Sequence, residues 1–290
     1  MFPIDILKRL KVLAVLLRDA FREFQANDPL RMAAATAFFA SFALPPILII
    51  LIELFGFFGN PRVISHDLFA QLSNTIDKDT VLQIRQTLRN VRYLSLSRGM
   101  KIGGFIFLLF IATTLFTVIK NSLNQLWQIR LKKGSGIAFM LLYRAKSIGI
   151  IVIAGLLFFI VLHLFLRGFI YRMTSRLAMI AWFILLFKYL ADGRPAWKTA
   201  VAGGIFTGLL FTLGEVLLHV VFSFDKVETI YGASTALVLL LLFIFYSSFI
   251  FYYGACFTKT LADYFDRPIM PTSHAVRYTL QSVEWEGERD

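Results

Sequence analysis

The fold is decided by one apolar stretch, TAFFASFALPPILIILIELFGFFG, which covers residues 36–59. A membrane span needs roughly 20 largely apolar residues, because only a helix or a closed barrel satisfies its backbone hydrogen bonds across about 30 Å of hydrocarbon. The stretch is long enough, yet it contains the helix-breaking pair Pro45 and Pro46 and the carboxylate of Glu53. We therefore predict a membrane helix that is kinked or broken at the prolines, where the freed carbonyl groups face protein or a cavity. An architectural bend and a hinge that faces a substrate both fit this pattern.

The composition places the whole chain among membrane proteins. Of its 290 residues, 58% are hydrophobic and only 17% are charged, and the mean hydropathy is +0.70. This leaves too little polar material to cover a soluble globule. The net charge of +12 is explained by basic residues that flank membrane spans. Because the basic residues are not set among aromatic platforms in a soluble domain, we expect no nucleic-acid partner.

The predicted fold class is all-α: a polytopic membrane bundle with six transmembrane helices and additional amphipathic interfacial helices. The fourth span is short, and Lys188 extends its usable length by reaching to the interface. The N-terminal segment 1–32 is predicted to be cytoplasmic and amphipathic, and the tail 258–290 to be cytoplasmic and disordered from Asp266 onward. The transmembrane domain covers residues 33–257, with an outer loop at 59–101. The six predicted spans are residues 33–58, 102–119, 148–166, 177–190, 200–222 and 233–257.

The distribution of basic residues predicts the orientation of the chain. Its first residues carry a charge every few positions and lack a small-residue cleavage site, so we expect the N-terminus to stay inside. The segments that then lie inside hold 19 of the Lys and Arg residues, against 11 in the outer segments. We therefore predict a multi-pass protein of the bacterial inner membrane with both termini in the cytoplasm.

Two segments beside the spans have helical periodicity on one apolar face. In the outer loop, an apolar row lies beside a row of three arginines, which suits an anionic headgroup layer. A solvated face that packs on the bundle is the alternative, and the sequence leaves both open. In the N-terminal segment the apolar row is Ile6, Leu10, Leu13, Leu17, Phe21 and Phe24. In the outer loop the apolar row is Val81, Ile84, Leu88 and Val91, and the candidate headgroup-binding row is Arg85, Arg89 and Arg92.

Four ionisable residues lie in the second halves of the outward-running spans: Glu53, His163, Glu215 and His219. A buried charge in hydrocarbon costs at least about 2.5 kcal/mol, so these side chains should face one another or water. We predict that they line a shared polar cavity open to the outside. Neutral histidines and protonated glutamates that serve as structural hydrogen-bond partners are the alternative.

The remaining patterns indicate packing rather than chemistry. Gly204 and Gly208, with Gly203 and Thr207 alongside, form a small-residue motif that permits close helix packing. The four histidines are scattered, Cys256 is the only cysteine, and neither a Walker loop nor a GxSxG or HExxH motif is present. We therefore predict that the protein is not an enzyme and has no catalytic residues, metal site or cofactor.

Several stretches resemble the YihY/virulence factor BrkB family of inner-membrane proteins. The resemblance rests on RMAAATAFFASFALPPILIILI from residue 31, NSLNQLWQIR from residue 121, RPAWKTAVAGG from residue 194 and YGASTALVLLLLFIFYSSFIFYYGACFT from residue 231. It implies six inner-membrane helices with cytoplasmic termini. The family has carried a tRNA-processing ribonuclease label, an association with serum resistance and suggestions of envelope lipid transport. The chain departs from the family pattern at Phe243, where the family often has Trp, and at Cys256, where it often has Glu.

The resulting hypothesis is a protein that transports or handles a lipid or other amphiphile, with membrane lipids as its partners. The kinked first span and the outer polar residues would line its cavity. A non-enzymatic membrane scaffold or assembly protein is the alternative, and a ribonuclease is disfavoured by the absence of a cytoplasmic cluster of metal ligands. Ordinary anchoring equally explains the belt that we predict at the inner interface. That belt consists of Asn121, Asn124, Trp127 and Arg130.

Overall fold

The computed structural model describes residues 3–56, 69, 81–82, 85–86, 98–132, 171–222 and 235–279. Within these residues the protein is mostly helical, as the composition predicts. The predicted span 148–166 lies outside the described residues, and each of the other five spans falls largely on a helix. The helices are α1 (Pro3–Ala26), α2 (Pro29–Gly56), α3 (Arg98–Leu126), α4 (Tyr171–Tyr189), α5 (Trp197–Phe222) and α6 (Thr235–Tyr264).

The long helices are consistent with membrane spans, although their number stays a prediction. Helix α6 contains the one stretch of the described residues that is long and apolar enough to cross a membrane, Leu237–Tyr264, with a mean hydropathy of 2.1. Helix α2 continues through Pro45 and Pro46 without interruption. The chain therefore does not leave the helical conformation at the prolines, and the kink there stays a prediction.

An exposed apolar stripe runs along α5 at every fourth residue, and each member lies about 40° around the helix from the one before it. The stripe winds about the helix for about 24 Å at 1.5 Å per residue, close to the thickness of a bilayer core. An exposed apolar surface of this length is what contact with lipid requires, whereas in water it would favour aggregation. We call this surface the α5 stripe, and it consists of Trp197, Val201, Ile205, Leu209 and Leu213.

The glycine motif packs α5 between two neighbouring helices. Gly204 and Gly208 face α4, where an added Cβ would overlap Ile184 and Ile180 respectively. The interior of α5 therefore approaches α4 as closely as the small-residue pattern predicts.

The same motif packs α5 against α6 in a reciprocal way. Gly203 receives the side chain of Thr258, and Gly254 receives the side chain of Thr207, so each helix places a threonine against a glycine of the other. Each threonine also donates a hydrogen bond to its own helix, Thr207 to the carbonyl of Gly203 and Thr258 to the carbonyl of Gly254. Because each hydroxyl donates a hydrogen bond to a carbonyl of its own helix, it has a partner although it lies within an apolar contact.

The tail after α6 is ordered as far as Thr279, so the prediction of disorder from Asp266 is wrong for residues 266–279. Four short strands form two antiparallel pairs, in which β1 (Ile129–Leu131) pairs with β4 (Ala275–Arg277) and β2 (Gly193–Arg194) pairs with β3 (Met270–Pro271). The strands have only two or three residues each, which is too short to give a recognisable alternation in the sequence. Two-stranded pairs are marginal alone, and here they are stabilised by the buried side chains of Ile129, Ile269 and Ala275.

Close packing beneath the strands requires a glycine at position 193. A Cβ on Gly193 would lie 2.8 Å from Cγ2 of Ile269 and 3.0 Å from Cε3 of Trp127. The tail therefore packs directly on the segments that follow α3 and α4.

Four segments that the charge distribution assigns to one side of the membrane meet at one end of the bundle. They are the second half of α1, the end of α3 with β1, the turn between α4 and α5, and the tail. We call this end the junction. Consecutive segments on the same side of a membrane must be separated by an even number of spans, and the convergence of these four segments agrees with such a topology. The compartment that the junction faces stays a prediction.

Truncating the chain after Arg267 is expected to lower the free energy of unfolding by about 3 kcal/mol, because Ile269 leaves the core and Ile129 loses its cover. Unfolding can be followed in detergent with a thiol-reactive dye, since Cys256 is buried in the folded protein. Truncation after Thr279 keeps both strand pairs and is the matched control. Equal midpoints for the two truncations would show that the strands contribute no stability.

Candidate functional site

A buried ion pair lies at the centre of the junction. The ammonium of Lys120, near the end of α3, lies 2.8 Å from Oδ1 of Asp192 in the turn between α4 and α5. The two residues are only 4% and 1% exposed. Because a buried charge is tolerated only when it is paired, each of these residues fixes the position of the other.

Asn124 completes the cluster by binding Asp192 at two points. Its Nδ2 donates to Oδ2 of Asp192 over 2.7 Å, and its Oδ1 accepts from the backbone N–H of Asp192 over 2.9 Å. Asn124 follows Lys120 by one helical turn, so both side chains lie on the same face of α3. The carbonyl of Asp192 accepts a hydrogen bond from the backbone N–H of Thr272 in the tail over 2.8 Å. Asp192 therefore joins α3, the α4–α5 turn and the tail.

Two of the four residues in the predicted inner interfacial belt are buried in the structure, and the other two are exposed. Trp127 is 1% exposed and donates from Nε1 to the carbonyl of Ala255 in α6 over 3.0 Å, and Asn124 is 8% exposed. Neither side chain faces lipid or water, so the belt does not extend to them. Asn121 and Arg130 are exposed, and the guanidinium of Arg130 lies 5.7 Å from the ring of Tyr278. A tryptophan at the end of a span looks the same in sequence whether it faces lipid or the protein interior.

A second ion pair connects α1 to α6. The ammonium of Lys259 binds the carboxylate of Glu23, and Lys259 is buried. Nearby, the hydroxyl of Tyr253 donates to the carbonyl of Leu17 over 3.1 Å. Helix α1 is thus held on the bundle by polar contacts as well as by Phe24, which is fully buried.

A pair of hydroxyls links α2 and α6 next to the junction. The hydroxyls of Thr36 and Tyr252 lie 2.6 Å apart. Tyr252 is fully buried. The polar groups of the junction therefore continue into the bundle as satisfied hydrogen bonds.

Of the predicted cavity residues, only Glu215 has a described side chain. It is half-buried and lies about 160° around α5 from Leu213, the member of the α5 stripe nearest to it along the helix. Arg176 of α4 interacts electrostatically with it, a partner that the sequence analysis did not identify. The side chains of Glu53, His163 and His219 lie outside the described residues, so the shared cavity stays a prediction.

The outer-loop rows are described at a few positions. Val81 is buried and clusters with Leu240 of α6, whereas Arg85 is exposed, with its guanidinium 5.8 Å from the ring of Phe69. The apolar row therefore faces the bundle at Val81. Arg89 and Arg92 lie outside the described residues, and headgroup binding by the row stays a prediction.

The junction can act as a latch, because separating Lys120 from Asp192 breaks a buried ion pair, which costs several kcal/mol unless water replaces the lost contact. In the described part of the chain, no three His, Cys, Asp or Glu residues are grouped closely enough to hold a metal ion. The pair itself was missed by the sequence analysis, since residues 120 and 192 are distant in the chain. The one local signal was a lysine and an asparagine four residues apart at the end of an apolar span.

Comparison with known proteins assigns the chain to one family of membrane proteins. The family model described as Virulence factor BrkB matches residues 20–278. A UPF0761 membrane protein of Saccharophagus degradans is 26% identical over 84% of this chain and 59% of its own length, and one of Teredinibacter turnerae is 23% identical over 89% and 63%. The chain thus spans about three-fifths of these relatives. No solved structure shows significant similarity to it.

Proposed function

This chain belongs to the Virulence factor BrkB family, and we propose that it is a membrane protein that transports or handles a lipid or other amphiphile through a polar cavity. In this proposal it lies in the bacterial inner membrane with the junction on the cytoplasmic side, where the excess of basic residues is expected. It acts on membrane lipids without enzymatic chemistry, cofactor or nucleic acid.

The observation that carries the proposal is the position of Glu215. It lies within α5, a helix with an exposed apolar stripe, yet it is half-buried, lies about 160° around the helix from Leu213 and interacts electrostatically with Arg176. An ionisable residue kept inside a membrane helix at a cost of about 2.5 kcal/mol or more is typical of a substrate or ion pathway. A carboxylate beside a guanidinium also matches the paired charges of a zwitterionic headgroup.

The closed junction adds support. In this proposal the buried residues Lys120, Asp192 and Tyr252 would block a path from the predicted cavity toward that side. A transporter requires such a barrier on one side of its binding site at a time. The buried pair would form part of that barrier and would separate when the junction opens.

Replacing Glu215 by glutamine is expected to slow lipid exchange at least tenfold, because the replacement removes the charge and keeps the shape. Purified protein in phospholipid vesicles is assayed by the loss of fluorescence of an inner-leaflet labelled phospholipid after dithionite is added outside. Asp263→Asn, on the exposed surface near the end of α6, is the matched control and should stay within twofold of wild type.

Two outcomes would count against the proposal. The first is that vesicles with the wild-type protein exchange labelled lipid no faster than empty vesicles, for neutral and for anionic lipids. The proposed transport function would then be wrong, and a membrane scaffold or assembly protein would be favoured. If Glu215→Gln exchanges lipid at the wild-type rate, the cavity does not use this residue. Protection of the Cys256 thiol shows that the variant is folded.

A further inference from the structure

The turn between α4 and α5 gathers two cations and two aromatic rings. The ammonium of Lys188 donates to the carbonyl of Pro195 over 2.7 Å, and the guanidinium of Arg194 donates to the carbonyl of Lys188 over 2.6 Å. Lys188 lies 5.1 Å from the ring of Trp197, and Arg194 lies 5.3 Å from the ring of Tyr189. The two rings meet edge to face at 6.2 Å. The hydrogen bonds and the cation–π contacts hold all four side chains in one place.

Among the described residues, no carboxylate balances the positive charge of this turn. Asp192, the one carboxylate in the turn, is engaged by Lys120 and Asn124. Across the described ranges, neither Lys188 nor Arg194 has a carboxylate within ion-pair distance, and the two cations lie close enough to repel each other. Among the described residues each of the two cations uses one donor, and since an ammonium has three N–H groups and a guanidinium has five, both keep donors for a ligand.

The turn also lies at one end of the α5 stripe, where lipid headgroups are expected when the stripe faces the acyl chains. Trp197 is the first residue of the α5 stripe, and the stripe continues from it for about 24 Å as exposed Val, Ile and Leu. Tryptophan and tyrosine are enriched at the level of the headgroups, and clustered cations at that level attract anionic lipids. The cationic turn and the apolar stripe therefore form one continuous surface with the two chemistries of a phospholipid.

We propose that the α4–α5 turn binds the headgroup of an anionic phospholipid, with Lys188 and Arg194 on its phosphate and an acyl chain along the α5 stripe. The site lies on the outer surface of the bundle, and it does not depend on the proposed transport function. Its ligand stabilises the turn that carries Asp192, and so it supports the junction from outside.

The test uses thermal unfolding of the purified protein in a neutral detergent, followed through the Cys256 thiol. Phosphatidylglycerol, phosphatidylcholine and inorganic phosphate are added separately. We expect phosphatidylglycerol to raise the unfolding midpoint well above the other two additives. In the variant Lys188→Gln/Arg194→Gln that rise should fall to less than half of the wild-type rise.

The matched control is Arg267→Gln/Arg277→Gln, which removes two positive charges from partly or fully exposed tail residues at the same end of the bundle. It should keep the wild-type response. An equal phosphatidylglycerol response in both double variants overturns the proposal, and an equal response of wild type to phosphate shows an anion site instead of a lipid site. If the double variant does not fold, Lys188→Gln alone retains the bond from Arg194 and should still weaken the response.

Discussion

Asp192→Asn is expected to lower the free energy of unfolding by about 3–5 kcal/mol, the largest effect of any single change in the junction. The replacement keeps the size of the side chain and removes the carboxylate that Lys120, only 4% exposed, binds. Removing one partner of a buried pair is costly because the remaining buried charge loses its counter-ion. Thermal or denaturant unfolding followed at the Cys256 thiol measures the loss.

A double replacement separates the charge effect from a loss of packing. Lys120→Met/Asp192→Asn removes both charges, and we expect it to be more stable than either single variant, because a buried pair contributes little net stability over a neutral one. Additive losses in the double variant would mean that the two residues contribute independently, and the pair would not be a latch.

Gly203→Val is expected to have the second largest effect, with a loss of about 3 kcal/mol. An added Cβ would overlap Oγ1 of Thr258, and the larger side chain would force α5 and α6 apart along the whole reciprocal contact. The thiol of Cys256, which is also on α6, should react faster with the dye at temperatures below the unfolding midpoint.

Because the packing of α5 and α6 is reciprocal, a second substitution on α6 should restore part of the stability that a substitution at Gly203 loses. In Gly203→Ala/Thr258→Ala the obstructing hydroxyl is removed, so the pair should recover at least half of the stability that Gly203→Ala alone loses. Leu213→Phe adds volume on the exposed α5 stripe and should change stability by less than about 0.5 kcal/mol. A loss after Leu213→Phe equal to that of Gly203→Val would show that the stripe faces protein.

The parts of the fold that could be predicted from the sequence are those with a local signal. Long apolar runs predict the helices, and the spacing of Gly204 and Gly208 predicts close packing against another helix, because both patterns lie within one helix. The partners of those glycines, Ile180 and Ile184, had no such signal. The identity of the neighbouring helix depends on how distant segments pack.

The junction could not be predicted for the same reason. Lys120 and Asp192 look like ordinary flanking charges until the segments that carry them meet. The strands of the tail have only two or three residues each, which is too short for any alternation of polar and apolar residues. Trp127 had a signal, and it was misread because the direction of a side chain around its helix decides between anchor and core.

The antiparallel pair formed by β1 and β4 has a consequence for the timing of biosynthesis. Ile129 pairs with Arg277, so the first strand leaves the ribosome almost 150 residues before its partner exists. At roughly 5–20 residues per second, that interval is on the order of 10–30 seconds. Throughout it, Ile129–Leu131 lack the strand with which they pair, and the surface of Trp127 that the tail covers stays exposed. Synthesis of the tail after α6 is therefore the event that covers this surface, and a ribosome that stalls before Arg277 leaves the first strand without its partner.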